Sequence, residues 1–249
     1  MIQLLFFLIS LLSWAKFDLT GGIQGRTLPA LGAELYAESG YNQLLWGKKN
    51  EPKDILYGLI RPSVQLTSSA VINAAKAEVE LFPLSIIGFS AGSQIIHSNF
   101  DFPFFDCDIV DCDGEFRRNF VEAKMVLGAK GFIALGNYKI DTLTGNDSSK
   151  PMADWRNVIV GNKKRDTQIE KKLLLGKVFG TQMVGFLSEN VQFIGSEERK
   201  ESYAAVYQFR KNDTSYMIGA GAFHTSQEPM GLIFYFRVHQ VWLPSLKLF

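Results

Sequence analysis

The sequence predicts an all-β chain: an antiparallel, up-and-down transmembrane β-barrel of about twelve strands. Three observations carry this. Period-2 alternation of apolar and polar residues recurs along most of the chain. After the first dozen residues, no segment approaches the roughly 20 apolar residues of a membrane helix. The alternating segments run to about 10–15 residues, the span of a tilted membrane strand with overhang.

The clearest alternation lies between residues 56 and 67. Leu56, Gly58, Ile60, Pro62, Val64 and Leu66 form one face; Tyr57, Leu59, Arg61, Ser63, Gln65 and Thr67 form the other. Ala75, Ala77, Val79 and Leu81 then alternate with Lys76, Glu78 and Glu80. Val121, Ala123, Met125 and Leu127 alternate with Glu122, Lys124 and Val126. Tyr203, Ala205, Tyr207 and Phe209 alternate with Ser202, Ala204, Val206, Gln208 and Arg210. A helix would need apolar positions three and four apart, which these stretches lack. The predicted strands are 16–26, 31–46, 54–69, 71–82, 85–97, 116–129, 131–142, 166–179, 182–194, 201–210, 215–226 and 230–241. Tight turns are expected at Pro29-Ala30, Pro83, Ala129-Lys130-Gly131 and Lys211-Asn212-Asp213-Thr214. Two connections, 98–115 and 143–165, are long and polar. Both follow odd-numbered strands, so both emerge at one end of a barrel.

Composition agrees with this reading. Apolar residues make up 47% of the 249, charged residues 20%, and 22 glycines stand against 8 prolines. That is too much charge for a bundle of membrane helices, while barrel strands average out near neutral hydropathy. A net charge of +1 gives no reason to expect nucleic acid as a partner. Leu4 to Leu12 is an apolar run too short to span a bilayer, and Ser13-Trp14-Ala15 has the small–x–small pattern of a cleavage site. Residues 1–15 are therefore read as a signal peptide, with the barrel domain at 16–249. In the oxidising compartment this implies, Cys107 and Cys112 are expected to form a disulfide closing a small loop. They and the histidines make no metal-ligand pattern, and no cofactor is expected.

These features resemble bacterial outer-membrane β-barrel proteins as an architecture, over nearly the whole chain from residue 16. The chain ends in Phe249, and such proteins commonly present a terminal Phe to the barrel-assembly machinery; Pro244 departs from the usual alternation there. The resemblance implies insertion in the bacterial outer membrane among its lipids. It gives Trp46, Tyr57, Phe82, Tyr138, Tyr203, Tyr216 and Trp242 a place in interfacial girdles. A soluble periplasmic β-sandwich that binds a ligand would also give one-sided strands, but not such long strands in successive hairpins.

The predicted lumen face carries both signs: Glu34, Glu38, Arg61, Lys76, Glu78, Glu80, Glu122, Lys124, Lys139, Glu170, Lys172, Glu189 and Arg210. Such a lining either borders a narrow, charge-selective pore or pairs across strands and plugs the interior. The first functional expectation is thus a porin-like passive channel or a structural surface barrel. Gly88-Phe89-Ser90-Ala91-Gly92 matches the G-x-S-x-G nucleophile elbow, but that motif needs strand, turn and helix, and here strand continues through it. Gly88, Ser90, Gly92 and Gln94 are expected to face the lumen. His224 and Ser226, two apart on a strand, point the same way, so the imidazole can serve the hydroxyl as base. The pair resembles the His-x-Ser of outer-membrane lipid hydrolases, although Gln227 stands where those enzymes have Asn. An acyl hydrolase acting on phospholipid or lipid A is therefore the alternative function, with Glu228 close by in the turn.

Overall fold

The computed structural model describes residues 15–26, 32–47, 57–69, 71–99, 105–146, 149–154, 156–226 and 230–243. Residues 1–14 of the signal-peptide reading, the Pro29-Ala30 turn, Gln227, Glu228, Pro244 and Phe249 lie outside the described residues.

Among the described residues fourteen strands follow in order: β1 (Ala15–Arg26), β2 (Gly32–Trp46), β3 (Gly58–Ser68), β4 (Ile72–Leu84), β5 (Ile87–Ser98), β6 (Gly114–Ala129), β7 (Phe132–Thr144), β8 (Pro151–Asp154), β9 (Ile159–Lys163), β10 (Arg165–Phe179), β11 (Gln182–Phe193), β12 (Arg199–Lys211), β13 (Thr214–Thr225) and β14 (Gly231–Leu243). Twelve of them form one closed antiparallel barrel, each paired with its neighbours in sequence, β7 with β10, and β1 with β14. β8 and β9 form a separate two-stranded hairpin. All twelve expected strands are present. The hairpin is a correction, because 143–165 was expected as plain polar loop. A second correction concerns Pro83, which lies inside β4; the turn falls at 85–86.

Residues 85–86, 130–131, 180–181 and 212–213 are two-residue turns; the start of β1, the end of β2, the start of β3 and the end of β14 lie at the same end as these, with residues 47–57 between β2 and β3. Lys130 (φ 49°), Gly131 (φ 80°), Gly180 (φ 63°) and Asn212 (φ 54°) supply the left-handed conformations whose twist matches paired strands. Connections 99–113 and 145–164 emerge at the opposite end, as loop parity predicted. These are called below the turn end and the loop end.

The alternation determines which side chains face out. Leu35, Val64, Leu66, Val79, Phe89, Ile95, Val121, Ile140, Leu173, Val184, Phe186, Ile218, Leu232 and Phe234 are exposed on the outer wall. A water-soluble sandwich would bury such a surface between two sheets, so the closed, outwardly apolar sheet overturns that reading. Near the turn end, Lys177 lies 5.3 Å and 5.2 Å from the ring centroids of Phe132 and Phe179, its stem along apolar surface. Trp46, Tyr138 and Tyr203 are exposed. Tyr57 and Phe82 are buried, which corrects their assignment; both fall on the inward parity of the strand beside Leu59 and Glu80.

One apolar core sits inside the loop-end half of the lumen. Ile72, Ala74, Ile96, Phe116, Leu143, Val191 and Phe193 from the wall meet Met152, Ala153 and Ile159 from the hairpin and Cys112 from the other long loop.

A lipid-facing position should punish charge. Val79→Arg, mid-strand on the outer wall, is expected to destabilise the barrel by about 2–4 kcal/mol in urea titrations in lipid vesicles. A change below about 1 kcal/mol would contradict a lipid-facing Val79.

Candidate functional site: the lumen

Charged residues of inward parity gather in clusters. Arg61 is the hub of the first cluster. Its guanidinium holds Asp18 in a two-pronged contact (Nη2–Oδ1 2.8 Å, Nε–Oδ2 2.9 Å), Glu38 at 2.6 Å and Glu80 at 2.8 Å. Lys124 joins Glu80 (2.8 Å) and Glu122 (3.7 Å), and Lys76 pairs with Glu78 (2.7 Å). Asn42 donates to Asp18, and Asn137 to Glu122. Arg61 on β3 reaches Asp18 on β1 by crossing β2 at Gly40. A Cβ there would stand 2.6 Å from Nε and Nη2.

The serine motif is explained in the same way. Ser90 is buried in the lumen and its hydroxyl donates to Glu122 (3.3 Å). A Cβ at Gly88 would meet the Phe82 ring at 2.4 Å, and one at Gly92 the Phe120 ring at 2.6 Å. The glycines make room for aromatic rings, on a strand that runs unbroken from Ile87 to Ser98.

A second cluster ties the β8–β9 hairpin to the wall. Asp154 of β8 accepts from Gln168 (2.6 Å) and Asn157 (2.8 Å) and faces Arg118 at 3.5 Å. Arg118 also faces Asp141 (3.8 Å), which Lys139 holds at 2.9 Å. At the hairpin tip, Arg156 reaches Glu34 on β2 at 3.1 Å. Asn157 accepts from Lys200 on β12 at 3.3 Å. Lys200, 2% exposed, also pairs with Glu189 (3.2 Å), which Lys172 meets at 3.0 Å; Lys172 in turn holds Glu170. The hairpin thus has polar anchors on β2, β6, β10 and β12. Burial alone would push the Asp154 carboxyl up; Arg118, with the Gln168 and Asn157 amides, outweighs it and holds the carboxyl below the usual carboxylate range.

Two further features fix the hairpin. Cys107 and Cys112 form the expected disulfide. Asp111, next to Cys112, bonds β8 through Asp111 N to Pro151 O (2.7 Å) and Ala153 N to Asp111 O (3.0 Å). Asp166 accepts four backbone N–H groups, from Asn162, Thr167, Gly195 and Ser196, and so clamps the hairpin's exit to the β11–β12 loop. Val158 is buried with φ at 54°. A β-branched residue in that conformation costs about 1–3 kcal/mol, so the surrounding contacts hold the tip in place.

The sequence reading missed Asp18, Arg118, Asp141, Asp154, Arg156, Asn157, Gln168 and Lys200. A signal existed for the hairpin: Met152, Ala153, Val158, Ile159 and Val160 are apolar within a stretch taken as polar. Among the described residues, no group of three or more His, Cys, Asp or Glu is placed to hold a metal ion.

His224 and Ser226 are exposed at the loop end, His224 on the outer wall as parity predicted. The Ser226 hydroxyl accepts from Arg199 N (3.0 Å) and donates to Arg199 O (3.4 Å). Register sets Glu201 of β12 directly opposite His224, an acidic neighbour that the sequence did not reveal.

No protein-family model and no curated protein matches this chain. Solved structures do. An outer-membrane channel from Pseudomonas putida F1 is similar with a TM-score of 0.52 at 9% identity, over 92% of this chain and 95% of that one. The KdgM porin aligns with a TM-score of 0.45 at 7% identity, over 90% and 98%. LpxR from Salmonella typhimurium aligns with a TM-score of 0.39 at 7% identity, over 90% and 99%. The closed twelve-strand sheet and the likeness to the Pseudomonas putida channel give the fold of an outer-membrane β-barrel.

The crossing at Gly40 should matter as much as the ions it admits. Gly40→Val and Arg61→Met are each expected to cost about 3–5 kcal/mol, because each leaves Asp18 enclosed without its cation. Urea titration measures both. A Gly40→Val barrel as stable as the parent would show that Arg61 needs no such passage.

Proposed function

We propose that this protein is a porin-like barrel of the bacterial outer membrane, inserted among its lipids with the turn end toward the periplasm, whose passage is closed at rest by the β8–β9 hairpin. The observation that carries this reading is the hairpin's set of anchors on four strands around the lumen. Small barrels of about 8 strands fill with their own side chains, whereas those of 16–18 leave an aqueous channel. Twelve strands lie between, and here the hairpin and its apolar core occupy the loop-end half. The two longest connections, 99–113 and 145–164, emerge at one end, which supports the orientation.

Planar bilayers test the closure. The native chain is expected to be almost silent. Replacing 151–163 by a short Gly-Ser linker is expected to give steady unitary conductance, and Asp154→Asn brief openings. Asp154 is held below its ordinary value. Its contribution is therefore complete above the usual carboxylate pKa and lost as pH falls through the lower folded value, so acid rather than base should release the hairpin. A native chain that conducts as steadily as the linker variant would overturn the reading.

One observation favours a second reading, an acyl hydrolase at the outer-leaflet edge: Glu201 stands opposite His224, as the acid that orients a catalytic imidazole would. Against it, Ser226 spends its hydroxyl on the Arg199 backbone rather than on a base. The purified native chain and Ser226→Ala are expected to hydrolyse phospholipid and lipid A equally little. Hydrolysis by the native chain that Ser226→Ala abolishes would establish the second reading instead.

A further inference from the structure

We infer that the turn-end half of the lumen holds a binding site for a small oxyanion, a carboxylate or a phosphate, built on β12, β13 and β14 around Arg210 and Arg237.

Inside the barrel, cations are paired almost everywhere. Arg61, Lys76, Arg118, Lys124, Lys139, Arg156, Lys172 and Lys200 each have a carboxylate within 4.0 Å. Arg210 and Arg237 depart from that pattern: neither forms an ion pair among the described residues. Both have inward parity, Arg210 with Ser202, Ala204 and Val206, and Arg237 with Ile233 and Tyr235. Both are nevertheless exposed, so this part of the interior is open to solvent.

Register brings them together. Arg210 pairs with Ser215, and Ser215 with His239, in one row across β12, β13 and β14. Gln208, Met217 and Arg237 form the adjacent row on the same face. Neighbouring strands lie about 4.8 Å apart, so Arg210 and His239 flank a space about 10 Å wide.

The surrounding polar groups are fixed in place. Tyr36 of β2 crosses β1 at Gly22, where a Cβ would stand 2.8 Å from its hydroxyl. That hydroxyl meets His239 Nδ1 at 2.7 Å and accepts from Arg237 at 3.4 Å, and the Arg237 guanidinium lies 5.3 Å from the Tyr36 ring centroid. Gln208 donates to the Ser215 hydroxyl at 3.0 Å, holding the row between the two arginines. The Tyr235 hydroxyl, two residues from Arg237 on the same face, is buried with no hydrogen-bond partner among the described residues. Two guanidinium forks without an ion pair among the described residues and an imidazole thus share adjacent rows on one wall of the lumen. Planar forks match the oxygens of carboxylate and phosphate, and a neutral or cationic solute would leave both charges unanswered.

Isothermal titration of the full chain, folded in non-ionic detergent, tests the site with sodium phosphate and, separately, sodium citrate. Saturable, near-stoichiometric heat is expected with at least one, and the stronger binder identifies the oxyanion. Arg210→Gln and Arg237→Gln, singly and together, should weaken it at least tenfold while heat-modifiable gel migration stays intact. Arg165→Gln, an exposed cation at the loop end, should leave it unchanged. No saturable heat with either salt, or an unchanged affinity in the folded arginine variants, would overturn the site. The titration is made with the hairpin in place. A conducting native chain would refute the closure reading alone, and absent heat would refute this one alone.

Discussion

The structure depends on a single constraint: a sheet that crosses lipid can leave no edge. Hydrocarbon offers no partner to an unpaired N–H or C=O, and each such group costs several kcal/mol. β1 must therefore find β14, and it does so along most of its length, from Leu19–Leu243 to Arg26–Tyr235. Closure turns alternation into geography. Odd residues of β12 meet lipid and even ones meet the lumen, with no third environment. That is why Val79 and Glu80, adjacent in sequence, sit in opposite solvents. It is also why so much charge is forced into one small interior, where like signs cannot avoid each other.

The interior answers that crowding in two ways along its length. Toward the turn end and through the middle, carboxylates are gathered on shared cations, as three are on Arg61. Toward the loop end the wall becomes apolar, and the hairpin supplies the matching surface with Met152, Ala153 and Ile159. The two regimes meet at Asp154, which belongs to the hairpin yet is held by Arg118 and Gln168 of the wall. An ion pair of that burial is weak evidence for added stability, since desolvation offsets much of the attraction. Its value lies in register. A hydrophobic hairpin could slide in an apolar cup, whereas Asp154, Arg156 and Asn157 each have one address.

Much of this was legible in the sequence, because period 2 is a local property. Val64, Leu66, Val79 and Val121 announce the outer wall without knowledge of any partner strand, and the loop parity follows from counting. Tyr57 and Phe82 were misassigned by the same logic applied too simply: an aromatic at a strand end suits a girdle, but parity turned these two inward. The hairpin was illegible for a different reason. Its strands are four and five residues long, too short for alternation to register, and they fold against residues from β4 to β11. Likewise Gly40 reads as a weak spot in a strand until Arg61 is seen passing over it.

Such crossings also explain why the lumen charges do not simply pair with the nearest strand. A side chain at Gly40 would confine Arg61 to its own edge of the sheet, and one at Gly22 would do the same to Tyr36. By removing a Cβ, each glycine lets a long side chain reach the second strand away and couple three strands rather than two. The reach has a limit set by burial. Lys200, almost fully enclosed, must find Glu189 and Asn157, because an ammonium without partners there would be too costly to keep. Arg210 and Arg237, in contact with solvent, are under no such compulsion. The pairing of ions in this barrel therefore follows enclosure rather than position along the axis. Charge left over where the wall meets solvent is charge still available to a solute.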